Sequence, residues 1–245
     1  MSAFGGPNII TDGLVLNLDA GNIKSYPESG TTWFDKSGYG NNGTLINGPT
    51  FNTGSLGSIV FDGVDDYVVT PLTTTYSKFT LNTWFYNTTS SKISRALISK
   101  NSYYALTTND WPCVLSLDQS GSYVSITITS GTSFYISDGP SAGSQISGSL
   151  PSLNTWYNAT ATYDQVNLNL YVNGILVTTT PNTISLPNNT GRTWTIGSAA
   201  FERSGGVNQS QYNGNIASTQ IYNRALTSQE VLQNYNATKT RFNLT

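Results

Sequence analysis

Hydrophobic and polar residues alternate over most of this chain. In Leu168-Asn169-Leu170-Tyr171-Val172 successive side chains fall on opposite faces, the period of a strand half-buried in a sheet. Comparable runs predict strands over 14–18, 58–62, 79–86, 95–99, 114–117, 123–129, 133–136, 156–163, 167–172, 175–179, 193–196 and 216–222. Asn173-Gly174 separates two of them, and that dipeptide supplies the positive φ that a two-residue hairpin turn needs at both central positions. Helical spacing is clear only once. Thr227-Ser228-Gln229-Glu230 reads as a capping box, after which Val231, Leu232 and Tyr235 recur on one face, predicting a helix over 228–238. A ladder of short strands with one late helix predicts an all-β protein, a two-sheet antiparallel jelly-roll sandwich with one short C-terminal helix. Its expected core includes Leu16, Phe61, Trp84, Trp156, Leu170 and Ile196. Residues 1–12 have no period and are read as an N-terminal arm, leaving 13–245 as one domain. The arm carries Phe4, Ile9 and Ile10 and is expected to lie against a neighbouring subunit, with packing along its own sandwich as the alternative.

Two segments near the start sharpen this reading. Thr32-Trp33-Phe34-Asp35-Lys36-Ser37-Gly38-Tyr39-Gly40-Asn41-Asn42-Gly43 and Ile59-Val60-Phe61-Asp62-Gly63-Val64-Asp65-Asp66-Tyr67 each set a Gly/Asn/Asp turn cluster beside an apolar strand pattern. Together with the opening Gly13–Asn22 run, Asn154–Asp164, Leu170–Gly174, Trp194–Gly197 and Tyr212–Ala217, they resemble the LamG-like jelly-roll domains of the concanavalin A-like lectin/glucanase superfamily. The stretch from Phe4 to Ala20 is similar to the start of such modules in structural proteins of tailed phages, notably those of marine cyanobacteria. The resemblance implies the sandwich fold. It does not choose between lectins, glycosidases and silent structural modules, which all use it.

Composition narrows the chemistry. Charged residues are 10% of the 245, against roughly 25% in an average soluble protein, so the surface is built from Ser, Thr, Asn and Gly. The net charge is −2 and the cations are scattered singly, which excludes nucleic-acid binding by clustered bases. There is one cysteine, Cys113, read as a buried strand residue. No secretory leader and no membrane span is read in the sequence. The chain has no histidine, which removes Ser-His-Asp and Cys-His catalysis and every His-liganded metal. The glycosidases of the resembled superfamily carry Glu-x-Asp-x-Glu on one strand, yet Glu28, Glu202 and Glu230 have no acid two residues on. The protein is therefore read as no enzyme, with no catalytic residue and no cofactor.

Three constellations remain. Gly38-Tyr39-Gly40-Asn41-Asn42-Gly43 matches a dinucleotide fingerprint in form, but no helix can follow across Asn47-Gly48-Pro49, so a turn is expected. Asp62, Asp65 and Asp66 offer oxygens for Ca²⁺, which many of the resembled domains bind, or close a turn through Asx hydrogen bonds; lacking Asp-x-Asp-x-Asp regularity, they are assigned to the turn and no metal is expected. Trp111, with Tyr103, Tyr104, Asn109 and Asp110, sets aromatic faces beside amide and carboxyl groups, the chemistry that grips sugars; the alternative is a loop Trp folded over the sandwich edge. The expected role is a non-enzymatic virion surface protein of a tailed phage, a capsid decoration, head-fibre or tail component. Its partners would be other virion proteins, further copies of itself or host-surface glycans, and it would be assembled in the host cytoplasm. The alternative is a carbohydrate-binding module of a bacterial surface or secreted protein.

Overall fold

The structure is a computed structural model and describes residues 7–54, 57–88, 95–100, 113–117, 123–129, 143–149, 152–181, 193–199 and 211–244. In chain order its strands are β1 (Leu14–Asp19), β2 (Thr32–Trp33), β3 (Gly43–Ile46), β4 (Thr50–Asn52), β5 (Ser58–Asp62), β6 (Tyr67–Val69), β7 (Phe79–Asn87) and β8 (Arg95–Lys100). They continue as β9 (Cys113–Leu117), β10 (Tyr123–Thr129), β11 (Gly143–Ser149), β12 (Trp156–Tyr163), β13 (Asn167–Val172), β14 (Ile175–Pro181), β15 (Trp194–Ile196) and β16 (Asn213–Tyr222). One helix follows, α1 (Ser228–Thr238), and then a 3-10 turn, Lys239–Phe242.

The strands form two antiparallel sheets of eight. One runs β14-β13-β12-β7-β16-β5-β4, with β1 also paired to β16; the other runs β11-β10-β9-β8-β15-β6-β3-β2. Asn173 and Gly174 join β13 to β14 with φ of 51° and 75°, the hairpin turn that the dipeptide predicts. Five strands carry no readable alternation. β2, β3, β4 and β6 are too short to show a period, and β11 (Gly-Ser-Gln-Ile-Ser-Gly-Ser) is a strand because its backbone pairs with β10 along its whole length. The expected strand over 133–136 lies outside the described residues.

Phe79, Leu81 and Phe85 of β7, Tyr157, Ala159 and Ala161 of β12, and Leu97, Leu115, Trp194 and Ile196 from the other sheet meet in the core between the sheets. Leu16, Phe61, Leu170 and Ile196 are buried there as the alternation predicts. Trp84 and Trp156 are not. They point the other way, onto the outer face of the first sheet, where Trp84 is buried and Trp156 only half-buried against it. The period of two decides this: residues at even positions of β7 and β12 face away from Phe79, Leu81 and Tyr157. What buries Trp84 is the C-terminal segment. Its ring stacks on Phe242 at 4.1 Å and on Tyr235 at 5.7 Å, and its Nε1 donates to Thr238 Oγ1 at 2.8 Å.

The outer face also carries a polar ladder. Asn158 Nδ2 and Thr160 Oγ1 donate to Asn82 Oδ1, Asn82 Nδ2 donates to Gln220 Oε1, and Gln220 Nε2 to Asn17 Oδ1. Asn82, Asn158, Thr160 and Gln220 are all buried, so each amide must find a partner within the sheet. The arm, expected against a neighbouring subunit, packs on its own chain over residues 8–12. Ile10 donates its N–H to Asn234 Oδ1 of α1, its carbonyl accepts from Tyr222 Oη, and Asn8 O accepts from Gln233. Ile9 and Ile10 lie half-buried against Leu14, Tyr222 and Val231, while Phe4 lies outside the described residues.

Candidate functional site

One loop is organised far beyond what closing a sheet requires. After Trp33 the chain turns back through Asp35, whose carboxylate accepts from four donors. Oδ1 takes the N–H groups of Asn17 (2.9 Å) and Ser37 (2.8 Å), and Oδ2 takes Ser37 Oγ (2.6 Å) and the N–H of Asn41 (2.9 Å). The Asp35 N–H donates to Asn42 Oδ1, Asn41 Nδ2 to Val15 O, and the Lys36 N–H to Asn17 O. Asp35 is thus a buried clasp that pins the loop along the open edge of β1. Gly38 and Gly40 take φ of 96° and 74°, left-handed conformations that a side chain would strain. Between them Tyr39 stands 68% exposed. A loop pinned by these hydrogen bonds therefore holds one aromatic ring out in solvent. The fingerprint-like glycines serve this turn, and β3, not a helix, follows them.

Tyr76, on the segment between β6 and β7, is half-buried against the core. Burial first, and then the Tyr39 neighbour, raise its pKa, while a hydrogen bond with the Thr74 side chain opposes them. The backbone beneath is held by the core, since Trp194 Nε1 donates to Thr74 O at 3.1 Å and Lys100 Nζ to Thr73 O at 2.5 Å. Lys100 is fully buried over the Trp194 ring, and desolvation lowers its pKa to about 8. Opposite it on β9, burial pushes the Cys113 thiol up to about 12, as an inert strand residue requires. This end of the sandwich is where β8 stops at Lys100. Trp111, Tyr103, Tyr104, Asn109 and Asp110 lie outside the described residues.

The acidic turn sits at the far end of β5. Asp62 Oδ1 accepts the Val64 N–H at 2.8 Å and Asp66 Oδ2 accepts the Asp62 N–H at 3.0 Å, the Asx hydrogen bonding of a closed turn. Burial raises the pKa of Asp66, the Asp62 amide lowers it, and the charges of Asp62 and Asp65 raise it further. One oxygen from each of the three carboxylates falls within 4.8 Å of the others. Ca²⁺ takes about six to eight oxygens, and peptide carbonyls usually complete its shell. Here the carbonyls of Asp62 and Asp65 are taken by the side-chain amides of Asn213 (2.6 Å) and Asn47 (2.9 Å).

Residues 62–232 match the family model described as the concanavalin A-like lectin/glucanases superfamily. The chain belongs to this superfamily. Among solved structures, this superfamily member is similar to the botulinum neurotoxin type G receptor-binding domain, with a TM-score of 0.64 at 16% identity over 91% of this chain and 51% of that one. It is also similar to the botulinum neurotoxin serotype D ligand-binding domain in complex with N-acetylneuraminic acid, with a TM-score of 0.65 at 13% identity, covering 92% and 51%. A Trypanosoma rangeli sialidase in complex with 2,3-difluorosialic acid gives a TM-score of 0.66 at 20% identity, covering 96% and 35%. The chain spans about half the length of the two toxin domains it matches. No curated protein matches it. Likeness at this level establishes the sandwich, and the site must be read from its own residues.

Tyr39 was not among the sequence candidates. A lone aromatic between two glycines in a polar turn is its only sequence mark, and that mark reads equally as a turn. The clasp that makes it a platform joins Asp35 to Asn17, across the edge of the sandwich.

Proposed function

We propose that this chain is a non-enzymatic glycan-contact module that acts on the surface of a phage particle. The observation that carries the reading is the exposed Tyr39 ring, held by the Asp35 clasp. An aromatic residue on a loop backbone held by the clasp stacks on a pyranose without spending ordering entropy on the loop, and the side chains of Ser37, Asn41 and Asn42 on the same loop are of the kind that meets sugar hydroxyls. The absence of histidine, and the use of Glu230 in the α1 cap, support a binding rather than a catalytic role. The toxin domains similar to this chain are receptor-binding or ligand-binding domains, one of them holding a sialic acid, and they support the same direction. The particle setting rests on the likeness of the opening segment to phage structural modules and on the sparsely charged surface. Its partners there would be capsid or tail proteins or further copies of itself. A glycan array tests the reading: binding that Tyr39→Ala abolishes without lowering the melting temperature supports it. An array with no bound glycan, or binding untouched by both Tyr39→Ala and Trp111→Ala, overturns it. Mass spectrometry of purified particles tests the setting, which fails if the protein is absent from them.

A further inference from the structure

We infer that two copies of this chain join edge to edge along β14, antiparallel about a twofold axis; this specifies one partner of the reading above and does not depend on glycan binding. β14 ends the first sheet. It pairs with β13 on one side and, among the described residues, with no strand on the other. Its start holds three consecutive large apolar side chains in solvent, with Ile175 68% exposed, Leu176 46% and Val177 44%. A single exposed aliphatic is ordinary, but a run of three on an edge strand marks a surface that association would cover. The strip continues onto the helix. Leu176 is paired in register with Tyr171, whose Oη shares a hydrogen bond with Ser228 Oγ in the first turn of α1. Further along α1, Tyr235 sits so close to Gly174 that a Cβ added there would meet it at 3.0 Å. Leu232 stands between Ser228 and Tyr235 on the same stripe of the helix and is 44% exposed.

Charge selects the occupant. In an antiparallel pair about a twofold axis, each residue near the axis meets its own copy, so a charge there would face its like. No residue from Gln165 to Pro181 is charged. The same holds for β11 (Gly143–Ser149), the edge of the other sheet, which lies beside β14. Edges that are kept from pairing usually carry lysine or another charge. The edge of β1 is closed in a different way, by its own loop, with the Asn17 N–H donating to Asp35 and the Asn17 carbonyl accepting from Lys36. Val177 is the extra residue of a bulge against β13, and Pro181 has no N–H to donate, so the shared ladder is short. The exposed strip is smaller than the ~800 Å² per partner of a standard interface, so the expected dimer is weak and concentration-dependent.

Sedimentation velocity of the full chain over a ~100-fold concentration range reaching ~200 μM tests the inference. The wild type is expected to pass from monomer to dimer. Ile175→Lys with Val177→Lys sets like charges together and should weaken association ~10-fold or more without lowering the melting temperature, while Tyr39→Ala leaves association unchanged. Under oxidising conditions at least one of Thr178→Cys, Thr179→Cys and Thr180→Cys should give a disulfide-linked dimer, Cys113 being buried and silent. A wild type that stays monomeric over the whole range overturns the inference. So does a dimer that survives the double Lys variant, or one that none of the three cysteines cross-links. Cross-linking of the strip to a capsid or tail protein, with no self-association, also overturns it and gives the edge to that partner. Glycan binding by a chain that never dimerises leaves the glycan reading standing.

Discussion

At the residue scale the molecule turns on side chains that answer backbone groups. Asp35 is the clearest. Its buried carboxylate satisfies the amides of Asn17, Ser37 and Asn41, which belong to two segments far apart in the sheet order. Asp35→Ala leaves these donors without an acceptor, and the expected loss of stability is about 2–4 kcal/mol by urea unfolding. Tyr39→Ala, by contrast, removes an exposed ring and should leave stability within about 0.5 kcal/mol. A similar loss for both would mean that Tyr39 packs on the protein instead of being offered to a ligand. In the Asp62 turn a side chain closes local backbone, accepting the Val64 N–H, while Asn173 Oδ1 accepts the N–H of Asn158 on β12 and so ties the hairpin turn to the next strand.

At the scale of elements, α1 is the piece that completes the sandwich. Its capping box is formed, with Thr227 Oγ1 accepting from the Glu230 N–H and the Glu230 carboxylate accepting from the Thr227 N–H. Glu230 also receives both guanidinium arms of Arg224, at 2.6 and 2.9 Å. The Arg224 hydrogen bonds, assisted by the Thr227 amide and opposed by partial burial, hold the Glu230 carboxyl down at about 2. Because the folded value lies below the ordinary value of 4.5, this pair stabilises the protein above that pH and loses its contribution as pH falls toward 2. With solvent screening the effect is about 1–2 kcal/mol. Glu230→Gln should therefore flatten the decline in melting temperature between about pH 5 and pH 2; an acid limb identical to that of the wild type would refute the pairing. The arm belongs to this element too. Deleting residues 1–12 removes the Ile10 bonds to Asn234 and Tyr222, and the melting temperature should drop by several degrees. An unshifted melting temperature would show that these contacts contribute nothing.

At the scale of the whole molecule, two sheets enclose one core, and each end carries different chemistry. The Tyr39 end offers an exposed aromatic ring on a hydrogen-bonded loop. The opposite end carries the Asp62-Asp65-Asp66 turn, where the peptide carbonyls are already bonded by Asn213 and Asn47. Chelator should leave the melting temperature unchanged, while a calcium-dependent rise of several degrees would show that an ion completes this turn, since a ligand bound only by the folded state stabilises it.

Much of this architecture is legible in the chain itself. A period of two marks the long strands β7, β12, β13 and β16, and the capping box marks the start of α1, because these signals depend on neighbours within a few residues. The core positions Leu16, Phe61, Leu170 and Ile196 follow from the same alternation. Which face of a strand meets the other sheet is not local. Trp84 and Trp156 alternate as faithfully as Phe85 and Tyr157, and only the position of α1 and Phe242 shows that a second, smaller apolar layer lies outside the sheet. Short strands such as β2 and β6 escape for a related reason, since two or three residues carry no period and are strands only through their partners. The site is the extreme case. Asp35, Lys36 and Tyr39 are adjacent in sequence, but it takes Asn17 and Val15 on another strand to turn the acid inward and leave the ring and the lysine facing out. Sequence alone determined the class of fold and excluded histidine chemistry; the tertiary structure decided which residues a ligand can reach, because exposure is set by contacts between segments distant along the chain.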